Sequence, residues 1–134
     1  MSKRYARQIV LADVGAEGQA KLGRARVLVV GLGGLGCPAA LYLGTSGVGR
    51  LVLNDFDRVD ETNLPRQILF GPDDVGALKV EAAKKRLLAL NPQLDVVCIT
   101  ERLDAAALEA AVADVDVVLD GTDNFTTRFA VNRA

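Results

Sequence analysis

The sequence lacks histidine and tryptophan, and only 4% of its residues are aromatic. Without histidine, this chain alone cannot form a Ser-His or Cys-His nucleophile pair, an imidazole general base or a His-ligated metal site. Cysteine is scarce as well, since Cys37 and Cys98 are the only two and lie far apart. Two thiols do not complete a four-ligand zinc site. We expect two small core residues in a reducing, cytoplasmic location.

A charge imbalance is also absent, because 16 Lys and Arg oppose 17 Asp and Glu, for a net charge of −1. We therefore expect neither nucleic acid nor a membrane as a partner. Residues 27–49 are uncharged and long enough to span a bilayer, but seven glycines and Pro38 interrupt them. This stretch is interpreted as a buried strand, a glycine turn and a buried helix.

The composition is typical of a globular protein, with 134 residues of which 50% are apolar and 25% charged. We expect one nucleotide-binding domain over residues 1–134, cut short at its C-terminal end because the last helix has no stop signal. Hydrophobic patterns alternate between strands and helices, which predicts a Rossmann-like, doubly wound, mostly parallel α/β sheet with N-terminal helices. The predicted strands are 26–30, 50–54, 94–99 and 115–119, and the predicted helices are 4–11, 16–23, 37–45, 76–90, 104–113 and 125–134.

A glycine-rich turn joins the first strand to its helix, with the pattern Gly31-x-Gly33-Gly34-x-Gly36. The first glycine permits a tight turn, the middle ones let backbone approach a phosphate, and the last lets the helix pack on the strand. The helix N-terminus then presents free N–H groups to an anion. The pattern predicts a nucleotide phosphate site, and the alternative is a close-packed turn without a ligand.

Two carboxylates, Asp55 and Asp57, follow the second strand. An acid about 20 residues after such a glycine turn is placed to bind a ribose. The alternative is that both are solvated carboxylates at the end of a strand.

The next segment adds cations and amides, namely Asn63, Arg66, Gln67 and then Lys79 in the first turn of a helix. A cation at that end opposes the helix dipole, at a cost of about 0.3–1 kcal/mol, which suggests an anion nearby. A triphosphate with a departing pyrophosphate needs these charges, whereas a dinucleotide does not. The alternative for Lys79 is an ordinary solvated lysine.

The fourth strand is followed by Asp120-Gly-Thr-Asp123-Asn124, at the sheet edge where ligands of parallel sheets lie. Magnesium on a nucleotide takes one or two carboxylates, and Asp123 is the candidate. Helix capping by Thr122 or Asp123 is the alternative, and a residue can do both.

Together these motifs resemble the ThiF/MoeB/HesA adenylyltransferases, bacterial relatives of ubiquitin-activating enzymes. The resemblance spans essentially the whole chain, and the segment Cys37–Leu43 leans towards the thiamine branch. The matching residues are Arg4-Tyr-x-Arg7-Gln8, Gly31-x-Gly-Gly-Leu-Gly36, Asp55-x-Asp57, Asn63-Leu-x-Arg66-Gln67, Lys79 and Asp120-x-Thr-Asp123-Asn124.

The resemblance implies an enzyme that uses ATP and magnesium to adenylate the C-terminal glycine of a small ubiquitin-like sulfur-carrier protein. The carrier would serve thiamine or molybdopterin synthesis. It implies that the glycine turn and Asp55 hold the nucleotide, and that Asn63, Arg66 and Lys79 contact the phosphates. Asp123 would hold magnesium. Arg7 would reach the site of a partner subunit, so the active unit would be a homodimer. A structural zinc and a sulfur-transfer cysteine would lie only beyond Ala134.

Two other functions remain open on the sequence. One is an NAD-binding oxidoreductase domain, against which Arg66 and Lys79 argue. The other is a non-catalytic nucleotide-binding module, which a shortened chain could be.

Overall fold

The computed structural model describes residues 3–122 and 125–134, and its centre is a parallel sheet of four strands. These are β1 (Arg26–Val30), β2 (Arg50–Asn54), β3 (Asp95–Ile99) and β4 (Val117–Asp120). Their order in the sheet is β3-β2-β1-β4, so the chain runs outward from β1 to β2 and β3 and then crosses back to add β4 on the other side of β1. The predicted doubly wound α/β fold is confirmed, with its switch point between β1 and β4.

Six α-helices surround this sheet: α1 (Ala6–Ile9), α2 (Gly15–Arg24), α3 (Gly36–Ser46), α4 (Lys79–Leu90), α5 (Ala105–Ala113) and α6 (Phe125–Arg133). Alternate residues of the central strands point to opposite faces. Val29 and Leu53 belong to the apolar cluster that α3 and α4 cover. Leu28 and Val52 belong to a second cluster with residues of α5 and α6. None of the helices in the described part of the chain is long and apolar enough to cross a membrane.

Three predicted elements differ from the structure by more than one residue at a boundary. The predicted helix 4–11 is a 3₁₀ turn, Lys3–Tyr5, followed by the single turn of α1. Helix α4 begins at Lys79 because Gly76 has φ +90° and Leu78 forms a β-bridge with Arg58. Strand β4 begins at Val117, since the backbone N–H of Val115 still bonds back to the end of α5.

The N-terminal segment is held against the C-terminal end of α3 by side-chain amides. Gln8 Nε2 donates to Gln19 Oε1 and to the backbone oxygen of Ser46, both at 2.8 Å. Gln19 Nε2 donates to the same Ser46 oxygen at 3.1 Å, and Asn91 Nδ2 donates to the hydroxyl of Tyr5 at 3.2 Å. These five residues form the N-terminal clamp, which satisfies a backbone carbonyl that the end of a helix leaves open.

Candidate functional site

A cavity of about 580 Å³ opens at the carboxyl ends of the strands, a size suited to a small-molecule ligand. Its walls come from the ends of β1, β2 and β4, from the segment after β3, and from α4, α5 and α6. Nine residues predicted from the sequence line it: Gly31, Gly33, Gly34, Asp55, Asp57, Asn63, Arg66, Gln67 and Lys79.

The backbone explains the outer glycines of the turn. Gly31 has φ +91°, and a Cβ there would lie 3.1 Å from the carbonyl carbon of Gly121. A Cβ on Gly36 would lie 1.9 Å from the Gly31 oxygen, so only glycine lets α3 start against the strand. Gly36 does not line the cavity. Its close approach to Gly31 and Val29 agrees with the packing role predicted for the last glycine of the turn, and its predicted role in nucleotide binding stays a prediction.

The carboxylate of Asp55 is fixed beside the turn by two backbone donors. Its Oδ2 accepts from the N–H of Leu32 and its Oδ1 from the N–H of Asp57, each at 2.8 Å. A held carboxylate with lone pairs to spare is the acceptor that a ribose hydroxyl requires. The side chain of Asp57 is exposed at the rim of the same cavity.

The loop after β2 places its polar residues over the glycine turn. The Oδ1 of Asn63 accepts from the N–H of Asp60 at 2.8 Å, which orders the 3₁₀ turn in that loop. A guanidinium nitrogen of Arg66 lies 3.8 Å from the Cβ position of Gly34. Gln67 is 2% exposed, and its buried Oε1 has no hydrogen-bond partner among the described residues. The amide nitrogen Nε2 of Gln67 lies 4.0 Å from the Cβ position of Gly33, so this side chain packs against the glycine turn.

Lys79 is buried, with 6% of its surface exposed, at the first position of α4. Its backbone N–H donates to the Asp57 carbonyl at 3.0 Å, which fixes where the helix begins. Its ammonium forms no ion pair with any residue in 3–122 or 125–134. Because burying an unpaired charge is costly, an anion in the cavity is the partner that this arrangement fits.

Sequence reasoning missed several lining residues of the cavity, among them Asn54, Phe56, Arg102, Leu103 and Leu108. Asn54 offered a signal, because it is a polar residue that follows three aliphatic residues at the end of a strand. The proximity of Arg102 to Phe56 had no local signal, since it depends on β3 lying beside β2.

The end of β4 closes the cavity beside the glycine turn. Asp120 Oδ1 accepts from the N–H of Thr122 at 2.9 Å and from its hydroxyl. The Thr122 carbonyl accepts in turn from the guanidinium of Arg128 at 2.8 and 3.0 Å. Asp123, predicted as the magnesium ligand or helix cap, lies outside the described residues.

The acidic residues near the cavity fit a magnesium ion that a nucleotide brings with it. No cluster of three acidic or cysteine side chains able to hold a metal occurs in the described ranges. Nucleotide-bound magnesium does not need such a cluster, because phosphate oxygens and water supply most of its ligands. Asp57 at the rim is a suitable carboxylate within the described part.

Arg7 is exposed and does not line the cavity of its own chain. Its neighbour Gln8 belongs to the N-terminal clamp, at the far end of α3 from the glycine turn. The eleven residues of α3 rise about 16 Å, more than an arginine side chain reaches. Arg7 therefore lies apart from the residues that the sequence groups with it.

The two cysteines are not placed for nucleophilic chemistry. Cys37 is fully buried, its Sγ donates to the Leu32 carbonyl at 3.4 Å, and burial raises the pKa of the thiol to about 11. Burial also raises the pKa of the Cys98 thiol. Because the thiolate is the nucleophilic form, burial disfavours nucleophilic chemistry at both cysteines.

This chain was compared with known protein families, and one family matches. The ThiF family model matches residues 5–134. The chain is 51% identical over 131 residues to the sulfur carrier protein ThiS adenylyltransferase of Escherichia coli (strain K12), covering 98% of this chain and 52% of the relative. It is 46% identical over 131 residues to the probable adenylyltransferase/sulfurtransferase MoeZ of Mycobacterium tuberculosis, covering 98% of this chain and 33% of that relative.

The fold also matches a solved structure, E. coli MccB with ATP, at a TM-score of 0.84 and 35% identity. The match covers 99% of this chain and 42% of that chain. This chain thus spans about half the length of the first relative and less of the others.

Proposed function

The chain belongs to the ThiF family, and from this premise we propose that it is the nucleotide-binding part of an ATP-dependent adenylyltransferase. Its substrate is the C-terminal glycine carboxylate of a small ubiquitin-like sulfur-carrier protein, serving thiamine or molybdopterin synthesis. The similarity to a ThiS adenylyltransferase over 98% of the chain supports this substrate class. We propose a cytoplasmic homodimer as the active form.

The single observation that carries the proposal is Lys79, a buried residue that lines the cavity and whose ammonium has no ion pair among the described residues. It lines the same cavity as the glycine turn and the guanidinium of Arg66. The N-terminus of α3 adds backbone donors there. A triphosphate that loses pyrophosphate carries several negative charges, and these groups are suited to neutralise them.

The reaction proposed is attack by a carboxylate oxygen on the α-phosphorus of ATP. A bond forms between the carboxylate oxygen and phosphorus while the bond to the bridging α,β-oxygen breaks, giving acyl adenylate and pyrophosphate. The nucleophile is already ionised at neutral pH, so no general base is required and the absence of histidine is no obstacle. Catalysis then consists of orienting the carboxylate and stabilising phosphate charge.

Each residue in this proposal has one task. The carboxylate of Asp55 accepts a ribose hydroxyl, since backbone donors hold it beside the glycine turn. Asn63, Arg66 and Lys79, which line the same cavity, bind the phosphates. Asp123 holds magnesium, which would supply further charge neutralisation on the transferring phosphate.

The competing function, an NAD-binding oxidoreductase domain, does not explain why Arg66 and Lys79 line the cavity. A dinucleotide carries two phosphates at the glycine turn and needs no further cations across from it. A non-catalytic nucleotide module would bind ATP without exchanging pyrophosphate.

The experiment is ATP–pyrophosphate exchange by the full chain with a ThiS-type carrier and magnesium, comparing Lys79→Gln with Lys84→Gln. Lys84 lies on the exposed side of the same helix and serves as the matched control. Removing a cation from developing phosphate charge should slow exchange about a hundredfold for Lys79→Gln and leave Lys84→Gln near wild type. Tighter binding of NAD than of ATP, or equal rates for both variants, would refute the proposed function.

A further inference from the structure

The polar features of the cavity follow the order of the strands. The glycine turn ends β1, Asp55 directly follows the neighbouring strand β2, and β3 lies on the far side of β2. A nucleotide with its phosphates at the turn and its ribose at Asp55 therefore directs its base towards the end of β3. The side chains at that end are therefore the ones that a bound base would contact.

The chain after β3 is fixed by a buried amide. Asn54 is 6% exposed, and its Nδ2 donates to the carbonyl of Ile99 at 3.0 Å and to that of Glu101 at 2.9 Å. The second bond holds the backbone immediately before Arg102. The position of Arg102 is thus set by the sheet rather than by a free loop.

Arg102 lies over the ring of Phe56, with its guanidinium carbon 5.0 Å from the ring centroid. This is within the range of a favourable cation–π contact. Both side chains line the cavity, beside the apolar groups of Leu103 and Leu108, and Phe56 is still 50% exposed. A planar cation and an aromatic ring over an apolar floor form a surface on which nucleobases stack.

We propose that Arg102, held against Phe56, is a specificity-determining residue that stacks on the base of the bound purine nucleotide. Its guanidinium plane contacts Phe56 on one face and the base on the other, which a lysine does not reproduce. Arg102 thereby distinguishes a nucleotide from a bare polyphosphate, while Arg66 and Lys79 bind the phosphates of either. This inference rests on the proposed function, because it places the phosphates at the glycine turn.

The test measures binding of ATP and of inorganic tripolyphosphate, each with magnesium, to the full chain by calorimetry. Arg102→Ala should weaken ATP binding about tenfold and leave tripolyphosphate binding unchanged, since only ATP carries a base. Arg102→Lys should weaken ATP binding almost as much as Arg102→Ala, because lysine retains the positive charge but lacks the planar guanidinium. Arg86→Ala, an exposed arginine of α4 outside the cavity, is the control and should change neither.

A second variant separates stacking from folding. Phe56→Leu keeps an apolar side chain but removes the ring, so it should reproduce the selective loss of ATP binding. An equal loss for both ligands would overturn the proposal, and so would ATP binding that neither variant changes. A chain that binds ATP but exchanges no pyrophosphate contradicts only the proposed function. A chain that binds neither ATP nor tripolyphosphate contradicts both the proposed function and the stacking role of Arg102.

Discussion

At the scale of the residue, Cys37 shows how burial decides chemistry. It follows the glycine turn, where an α-helix N-terminus normally favours a thiolate. Burial outweighs that effect and raises its pKa from 9.0 to about 11, despite opposing contributions from a backbone hydrogen bond and Lys79. The thiol therefore acts as a small apolar group within the core.

The raised pKa predicts a pH dependence of stability. In the unfolded chain the Cys37 thiol ionises near pH 9.0, whereas in the folded chain it stays protonated to about pH 11. Its contribution is thus complete below pH 9.0 and is lost as pH rises towards 11, by up to about 1.4 kcal/mol per pH unit. The measurement is the difference in the free energy of unfolding between wild type and Cys37→Ala, from denaturant titrations at several pH values. A difference that stays constant from pH 8 to 11 would contradict this reasoning.

At the scale of the element, Gly47 joins α3 to β2 and meets the N-terminal clamp. It has φ +106°, and a Cβ there would lie 2.2 Å from Gln19 Nε2 and 3.1 Å from the ring of Tyr5. Gly47→Ala should cost more than about 2 kcal/mol, because it adds backbone strain to displacement of the clamp. The readout is the midpoint of chemical denaturation.

Gly23→Ala is the matched control for this prediction. Gly23 lies inside α2, and no described atom comes within 4 Å of its Cβ position. Alanine there should be neutral or stabilising by about 0.5–1 kcal/mol. Similar losses for both variants would mean that the contacts of Gly47 do not matter.

The elements that sequence predicts well are those whose pattern is local. Strands β1 and β2 match their predicted bounds, because each is an aliphatic run between polar or glycine residues. The segment 4–11 reads as one helix but forms a single α-turn, since tertiary bonds of Tyr5 and Gln8 fix its path. Tertiary contacts override local periodicity in such short segments.

The same distinction applies to the site. The glycine turn and Asp55 are found from spacing along one β-α-β unit. The pairing of Phe56 with Arg102 joins residues from two different strand ends, so it requires the strand order.

At the scale of the whole molecule, the cavity and the N-terminal clamp lie at opposite ends of α3. The cavity combines the ends of strands on both sides of the switch point, so it needs the complete four-stranded sheet. The clamp holds α1 some 16 Å away, and Arg7 with it. If Arg7 serves catalysis, a second subunit must present it.

This geometry predicts complementation between inactive subunits of the proposed homodimer. Arg7→Ala and Lys79→Ala should each abolish pyrophosphate exchange, but in their heterodimer one of the two sites has both groups intact. After subunit exchange, an equal mixture should recover about a quarter of wild-type activity, because half of the dimers are mixed and each has one working site. Arg66→Ala mixed with Lys79→Ala is the control and should recover nothing, since both residues line the same cavity of one chain. Recovery in the control alone, or none in either mixture once exchange is verified, would show that Arg7 does not act across subunits.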